Sequence, residues 1–298
     1  MTQLVTPPHG PGATPPAASP DRAPTRVERV RRLRMGRWVL FAVMVLIAIV
    51  MLYPFWVMIA TSLKSEAQFL SGGGFSWLSW KNLTATIPVG QEVVSSTIVC
   101  TASILIILAV GLPAGFAFAK LRFRASTVVF LVIVSAMMVP LQAILMPEFV
   151  NVTKLGLTGG YLGAIIVYAA LGTPFSVFLF ATYFRGVPDE LIEAGIVDGL
   201  GYFGALWRLV VPIAIPAIAT VTVLQFIQIW DDLLVGLLFI QNTSERPITV
   251  GLAVLAAGRT TSIPELMAGS LVSALPAMVV YLVFQRYLVK GLTMGIDR

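Results

Sequence analysis

Four of the chain's fourteen acidic residues fall in one short stretch: Asp189, Glu190, Glu193 and Asp198, interleaved with Ala194, Gly195 and Gly199. Nothing that could turn these carboxylates into a catalytic set accompanies them. The one histidine is His9, the one cysteine is Cys100, and no GxxxxGK[ST] phosphate loop occurs. A lone cysteine excludes an internal disulfide, and a lone histidine excludes a His-rich metal site. The chemistry left to such a cluster is recognition. The acids can pair with basic groups on another surface, and the small residues let that surface approach closely. The expectation is therefore a non-enzymatic chain with no cofactor or metal of its own.

The cluster needs a scaffold to present it. Pro188 suits the first turn of a helix, where its missing N–H costs nothing, and Asp189 and Glu190 favour the positive N-terminal end of that helix. Leu191, Ile192, Gly195 and Ile196 follow helical spacing and give an apolar stripe. Gly199 and Gly201 then break the helix, and a second short helix enters an apolar run at Leu209. The competing reading is an amphipathic helix lying on lipid. Such helices carry Lys and Arg on the polar face, whereas acids near an anionic leaflet are disfavoured.

The rest of the 298-residue chain is built for a non-aqueous solvent. It is 57% hydrophobic and 11% charged, against about 25% charged in a soluble domain. Charge-free windows run over 38–63, 93–119, 125–147, 155–184, 209–230 and 266–285. Each reaches the roughly 20 residues that a helix needs to cross hydrocarbon. Backbone groups in lipid must be satisfied internally, so all six are expected to be largely helical. Residues 1–37 are rich in proline and end in an arginine run, and they are expected to be a disordered cytoplasmic tail ahead of an uncleaved first span.

Orientation follows from the twenty Lys and Arg residues. With the N-terminus inside, fifteen of them fall on the cytoplasmic side, including Lys120, Arg122, Arg124, Arg185 and Arg208. Both termini are then cytoplasmic and the basic balance records membrane orientation, with no nucleic-acid partner required. Residues 185–208 form the only sizeable inner loop, so a soluble partner would dock there.

At this point the sequence resembles a known family. Glu193-Ala194-Gly195, then Gly199, then Leu209-Val210-Val211-Pro212 keep the complete spacing of the cytoplasmic signature of ABC importer permeases, E-A-A, three residues, G, nine residues, I-x-L-P. Gly195, Leu209 and Val211 depart from it while staying small or aliphatic. Tyr53-Pro54-Phe55-Trp56, Phe116-Ala117-Phe118-Ala119-Lys120-Leu121-Arg122-Phe123, Met137-Met138-Val139-Pro140-Leu141-Gln142 and Phe284-Gln285-Arg286-Tyr287 are similar to maltose-type sugar permeases. Asp231 stands where such permeases usually have Asn.

The resemblance implies an all-α integral membrane protein with the type I importer permease fold: six transmembrane helices over 38–298 and a cytoplasmic coupling helix. It implies a multi-pass protein of the plasma (inner) membrane. Its partners would be a second homologous permease, two ATP-binding subunits and an extracytoplasmic sugar-binding protein. The coupling residues implied are Glu193, Ala194, Gly195, Asp198, Gly199 and Pro212.

Two further residues are candidates for the translocation path. Gln142 either lines it or satisfies a carbonyl freed by Pro140 or Pro147. Asp231 either meets substrate or protons, or is a span-end acid facing water. The competing reading is a secondary carrier, or an integral membrane protein of another class, working without an ATPase. Such a carrier should show an internal repeat and charges inside its spans, and neither is evident.

Overall fold

Long apolar runs with few caps give long helices here, and prolines decide where they bend. The computed structural model describes residues 26–258 and 262–293, with side chains over 37–258 and 262–287. The chain divides into two compact units, Met1–Phe55 and Trp56–Arg298. In the first, the described residues form most of helix α1 (Arg26–Ser62), apolar all round from Trp38 onward. The expected tail over 1–37 overlaps the start of this helix. Residues 26–37 are helical, because Arg is a good helix former and no proline falls between Pro24 and Pro54. Residues 1–25 lie outside the described residues.

The second unit holds the remaining helices. On the predicted outer side, α2 (Glu66–Ser71) and α3 (Leu78–Thr86) lead into α4 (Val89–Lys120). After a tight turn come α5 (Ser126–Ser135), α6 (Leu141–Lys154) and α7 (Tyr161–Arg185). The predicted inner loop contains α8 (Asp189–Val197) and α9 (Gly201–Ala205), followed by α10 (Val211–Ile213) and α11 (Ile215–Trp230). Then come α12 (Leu234–Phe239), α13 (Ile248–Ala256) and α14 (Ile263–Thr293).

Among the described residues four helices are long and apolar enough to cross a membrane, and the number reaches six if each of two bent pairs is one span. The six expected windows correspond to that second count, but two of them are not straight. Over 125–147 the chain turns by 103° between α5 and α6. Val139, the residue before Pro140, is extended (φ −84°, ψ 120°), as a pre-proline residue prefers. The helix then runs on through Pro147 to Lys154, so the 155–184 window becomes helical only at Tyr161. The second bend, 78°, separates Gly201–Ile213 from α11.

The core lies where α4 runs alongside α7, with α11 packed against both and against α14. Membrane helices approach closely through small residues, and Gly111 and Gly115 of α4 play that part against Ser176, Phe180 and Ala181 of α7. Phe180 stacks on Phe184 with centroids 5.8 Å apart, and Phe116 of α4 meets Phe184 at 6.4 Å. Trp230, buried at the end of α11, donates from Nε1 to the Ser273 carbonyl of α14 at 2.8 Å.

Just beyond α11, Asp232 joins three elements. Its Oδ2 accepts from Tyr168 Oη of α7 at 2.8 Å and from the Val235 N–H of α12 at 2.8 Å. Its carbonyl accepts from Thr249 Oγ1 of α13 at 3.1 Å. Tyr168→Phe removes one charge-assisted bond while keeping the ring, and is expected to cost about 1–2 kcal/mol. A thermal unfolding scan of the detergent-solubilised protein checks this; an unchanged midpoint would mean that water takes over the Tyr168 bond.

Candidate functional site

The acidic cluster sits on α8, and the local sequence explains its shape. Pro188 is extended (φ −58°, ψ 136°) and starts the helix, with Asp189 and Glu190 in the first turn. Ile192 and Gly195 are buried. A Cβ on Gly195 would lie 2.5 Å from Leu209 Cδ1 and 3.4 Å from Leu200 Cδ1. The inner face of α8 therefore lies on the segment that leads into α11. Glu190, Glu193, Ala194, Val197, Asp198 and Gly199 are all exposed, and Val197 is 87% exposed.

Gly199 ends the helix in the left-handed region at φ +85°. The Leu200 N–H reaches the Gly195 carbonyl at 3.0 Å, and the Gly199 N–H reaches the Ile196 carbonyl at 3.0 Å. These two bonds are the paired closure that a C-terminal glycine makes. Past it, Tyr202 and Phe203 of α9 are exposed, with the Phe203 ring 6.0 Å from that of Trp207. A single π-turn over Leu206–Val210 follows, then α10 with Pro212, then the bend into α11. At this elbow Tyr183 Oη of α7 donates to the Ile213 carbonyl at 3.0 Å.

The first turn of α8 is held from the side. Lys120, the last residue of α4, donates to Asp189 Oδ1 at 2.6 Å and also to the Val187 carbonyl. That hydrogen bond, with the Lys120 charge behind it, holds the Asp189 carboxyl below the usual carboxylate range. A depressed carboxyl stays ionised down to and below the free value of about 3.9. The ion pair therefore persists at physiological pH and is lost only as the pH falls through the lowered value. Arg185, at the end of α7, lies over the Phe130 ring of α5 at 5.1 Å.

Of the expected coupling residues, Glu193, Ala194, Asp198 and Gly199 share the outer face of α8 and its cap. Gly195 differs from the sequence reading. It faces inward against Leu209, so it serves close packing within the chain rather than the approach of another surface. Pro212 is exposed but belongs to the elbow before α11. Gln142 lies in the first turn of α6, exposed, and makes no side-chain hydrogen bond among the described residues, so the carbonyl-satisfying alternative is not realised there. Asp231 directly follows α11 and is exposed.

Sequence reasoning missed Lys120 as more than a topology charge, and it missed Glu92. Glu92 is only 1% exposed, yet the window count treats it as the charge that closes a span. Its Oε2 is buried without a hydrogen-bond partner among the described residues. No period or motif marks Glu92, and the run from Phe116 to Phe123 that includes Lys120 says nothing of its partner.

The family model described as the binding-protein-dependent transport system inner membrane component matches residues 111–293, which include α8, its glycine cap and the elbow. The chain belongs to this family. It is accordingly a multi-pass inner-membrane permease subunit of a binding-protein-dependent ABC importer, a machine that also needs a partner permease, an ATPase and a substrate-binding protein. An osmoprotective-compound uptake permease of Synechocystis is 33% identical over 208 residues, covering 70% of each chain. A diacetylchitobiose uptake permease of Streptomyces coelicolor is 24% identical, over 86% of this chain and 87% of its own. A melibiose/raffinose/stachyose import permease of Bacillus subtilis is 26% identical, over 81% and 90%. Among solved structures, a bacterial ABC transporter that imports the acidic polysaccharide alginate superposes with a TM-score of 0.73 at 22% identity, over 88% of this chain and 98% of that one. At that identity the likeness establishes the fold of this permease.

Proposed function

We propose that this permease forms, with a second homologous permease, the membrane path for a mono- or oligosaccharide. Two ATPase subunits dock beneath α8 and α9, an extracytoplasmic binding protein delivers the sugar, and both termini lie in the cytoplasm. The observation that carries the docking assignment is the outer face of α8. It offers Glu193 and Asp198 for pairing with basic groups, Ala194 for close approach and Val197 as an apolar contact, all on one exposed surface. Lipid is a poor occupant for that face because its charges are acidic. The ATP chemistry belongs to the partner, and the chain itself contributes no catalytic step.

The oligosaccharides in the names of two relatives support a carbohydrate cargo. Gln142, exposed at the bend of α5 and α6, fits a path-lining role because its amide can both donate to and accept from hydroxyl groups. Asp231 is placed there on the same ground, as an exposed acceptor at the end of α11. Pro212 has the separate task of setting the elbow.

The test is uptake of radiolabelled raffinose or diacetylchitobiose into liposomes holding the assembled importer. Uptake is expected only with internal ATP and external binding protein. Sugar uptake by the chain alone, without ATP, would overturn this reading.

A further inference from the structure

The chain enters α8 from α7 through a joint of three residues, Gly186, Val187 and Pro188. Beyond this joint α8 rests on Leu209 through Gly195, and neither contact ties it to α4. The structure supplies a second attachment from a different helix. Lys120 ends α4, its side chain is only 5% exposed, and its ammonium donates to both Asp189 and the Val187 carbonyl. A buried ammonium is retained only where it is paired and hydrogen-bonded. Both of its partners here lie in the short segment that opens α8. Asp189 also offsets the positive end of the α8 dipole, which would otherwise repel Lys120. Two attachments on two helices define a direction as well as a position.

The helices behind these attachments are not independent. α4 and α7 are in close contact through Gly111, Gly115, Phe180 and Ala181. A push on α8 delivered through both attachments therefore turns α4 and α7 as one body. Without the Lys120 contacts the same push reaches α7 and the segment leading into α11, and α4 receives it only through its neighbours.

We propose that Lys120 is a positioning residue of ATP-driven transport, the tether that fixes the orientation of α8 and passes its displacement to α4. The inference rests on the reading of α8 as the ATPase-docking element. It adds a residue outside the signature loop, and it locates the transmission in one ion pair and one carbonyl bond.

The test compares Lys120→Met, Lys120→Arg, Asp189→Ala and Glu193→Lys in the complete importer in liposomes. It reads the sugar taken up per ATP hydrolysed, using whichever of raffinose or diacetylchitobiose the unaltered importer transports. Lys120→Met and Asp189→Ala are expected to co-purify with the ATPase and to lower that ratio at least about threefold. Lys120→Arg keeps the donors and is expected to hold the ratio near that of the unaltered importer. Loss of a merely structural contact would lower the yield of assembled complex and leave the ratio unchanged. Should the Met variant fail to assemble, Asp189→Ala carries the test, since that carboxylate is 72% exposed and its removal opens no cavity. An unchanged ratio in these variants, with Glu193→Lys uncoupled, overturns the tether and leaves the docking assignment standing. An unchanged ratio in all of them, Glu193→Lys included, overturns both.

Discussion

Gly199→Ile is expected to lower ATP-driven uptake about tenfold or more, while Gly199→Asn keeps most of it. Two costs meet at this position. Its φ of +85° is strained for any side chain with a Cβ, at about 1–2 kcal/mol. A β-branched side chain suffers most there, whereas Asn visits that region readily. Nothing in the chain lies within 4 Å of a Cβ built on Gly199, so the added side chain meets no internal clash. It projects instead from the surface that carries Glu193, Ala194 and Asp198, and it holds a docked ATPase away. Asn is milder than Ile on both counts, being smaller and polar at the surface as well as at ease in that backbone region. The measurement is uptake with ATP hydrolysis followed in parallel. Full uptake by Gly199→Ile would remove α8 from the coupling path.

Gly115→Leu is expected to prevent the permease from accumulating in the membrane, and Gly115→Ala to cost about 2–3 kcal/mol, near the upper end for overpacking a core. A Cβ at Gly115 would lie 2.5 Å from Phe180 Cβ and 3.0 Å from the Ala181 backbone nitrogen. Neither atom can swing away, since both sit at or next to the main chain of α7. Gly111 offers the internal comparison. Its nearest neighbour is the Ser176 hydroxyl, which can rotate, so Gly111→Ala is expected to be milder. Membrane yield and thermal unfolding in detergent read both sites. Equal, small effects at the two glycines would show that α4 and α7 can part without loss, and the rigid pairing invoked for the Lys120 tether would then fail as well.

The sequence makes the apolar spans legible because lipid enforces a coarse rule: about twenty residues without charge, helical throughout. That rule is blind to direction. It counts 125–147 as one span because no charge interrupts it, although Val139 before Pro140 turns the chain by 103°. Proline within an apolar run gives no warning of its own either, since Pro113, Pro147 and Pro174 lie inside helices that continue past them. In the loop, spacing read well. The helix, the glycine stop and the second helix fall where the residues place them, because propensity, caps and dipole all act within a few residues. What spacing cannot give is the partner across space. Gly195 and Gly199 look alike as letters in one motif, yet one is held against Leu209 and the other is needed for its backbone angle. Lys120 and Asp189 are 69 residues apart, and only the pairing of α4 with α7 brings them together.

The π-turn at Leu206–Val210 has a consequence for how the chain can vary. A π-turn takes up one residue more than the α-helix it interrupts. It lies between the surface proposed to meet the ATPase and the elbow at Pro212. Shortening this stretch by one residue could convert the turn to ordinary helix, and the slack would be absorbed locally. Because the turn itself takes up the odd residue, the ends on either side keep their facing, and the acids of α8 stay turned to the same side. The π-turn thus gives this stretch a tolerance of one residue in length, whereas a one-residue change placed in regular helix beside it would turn the two ends against each other by about 100°.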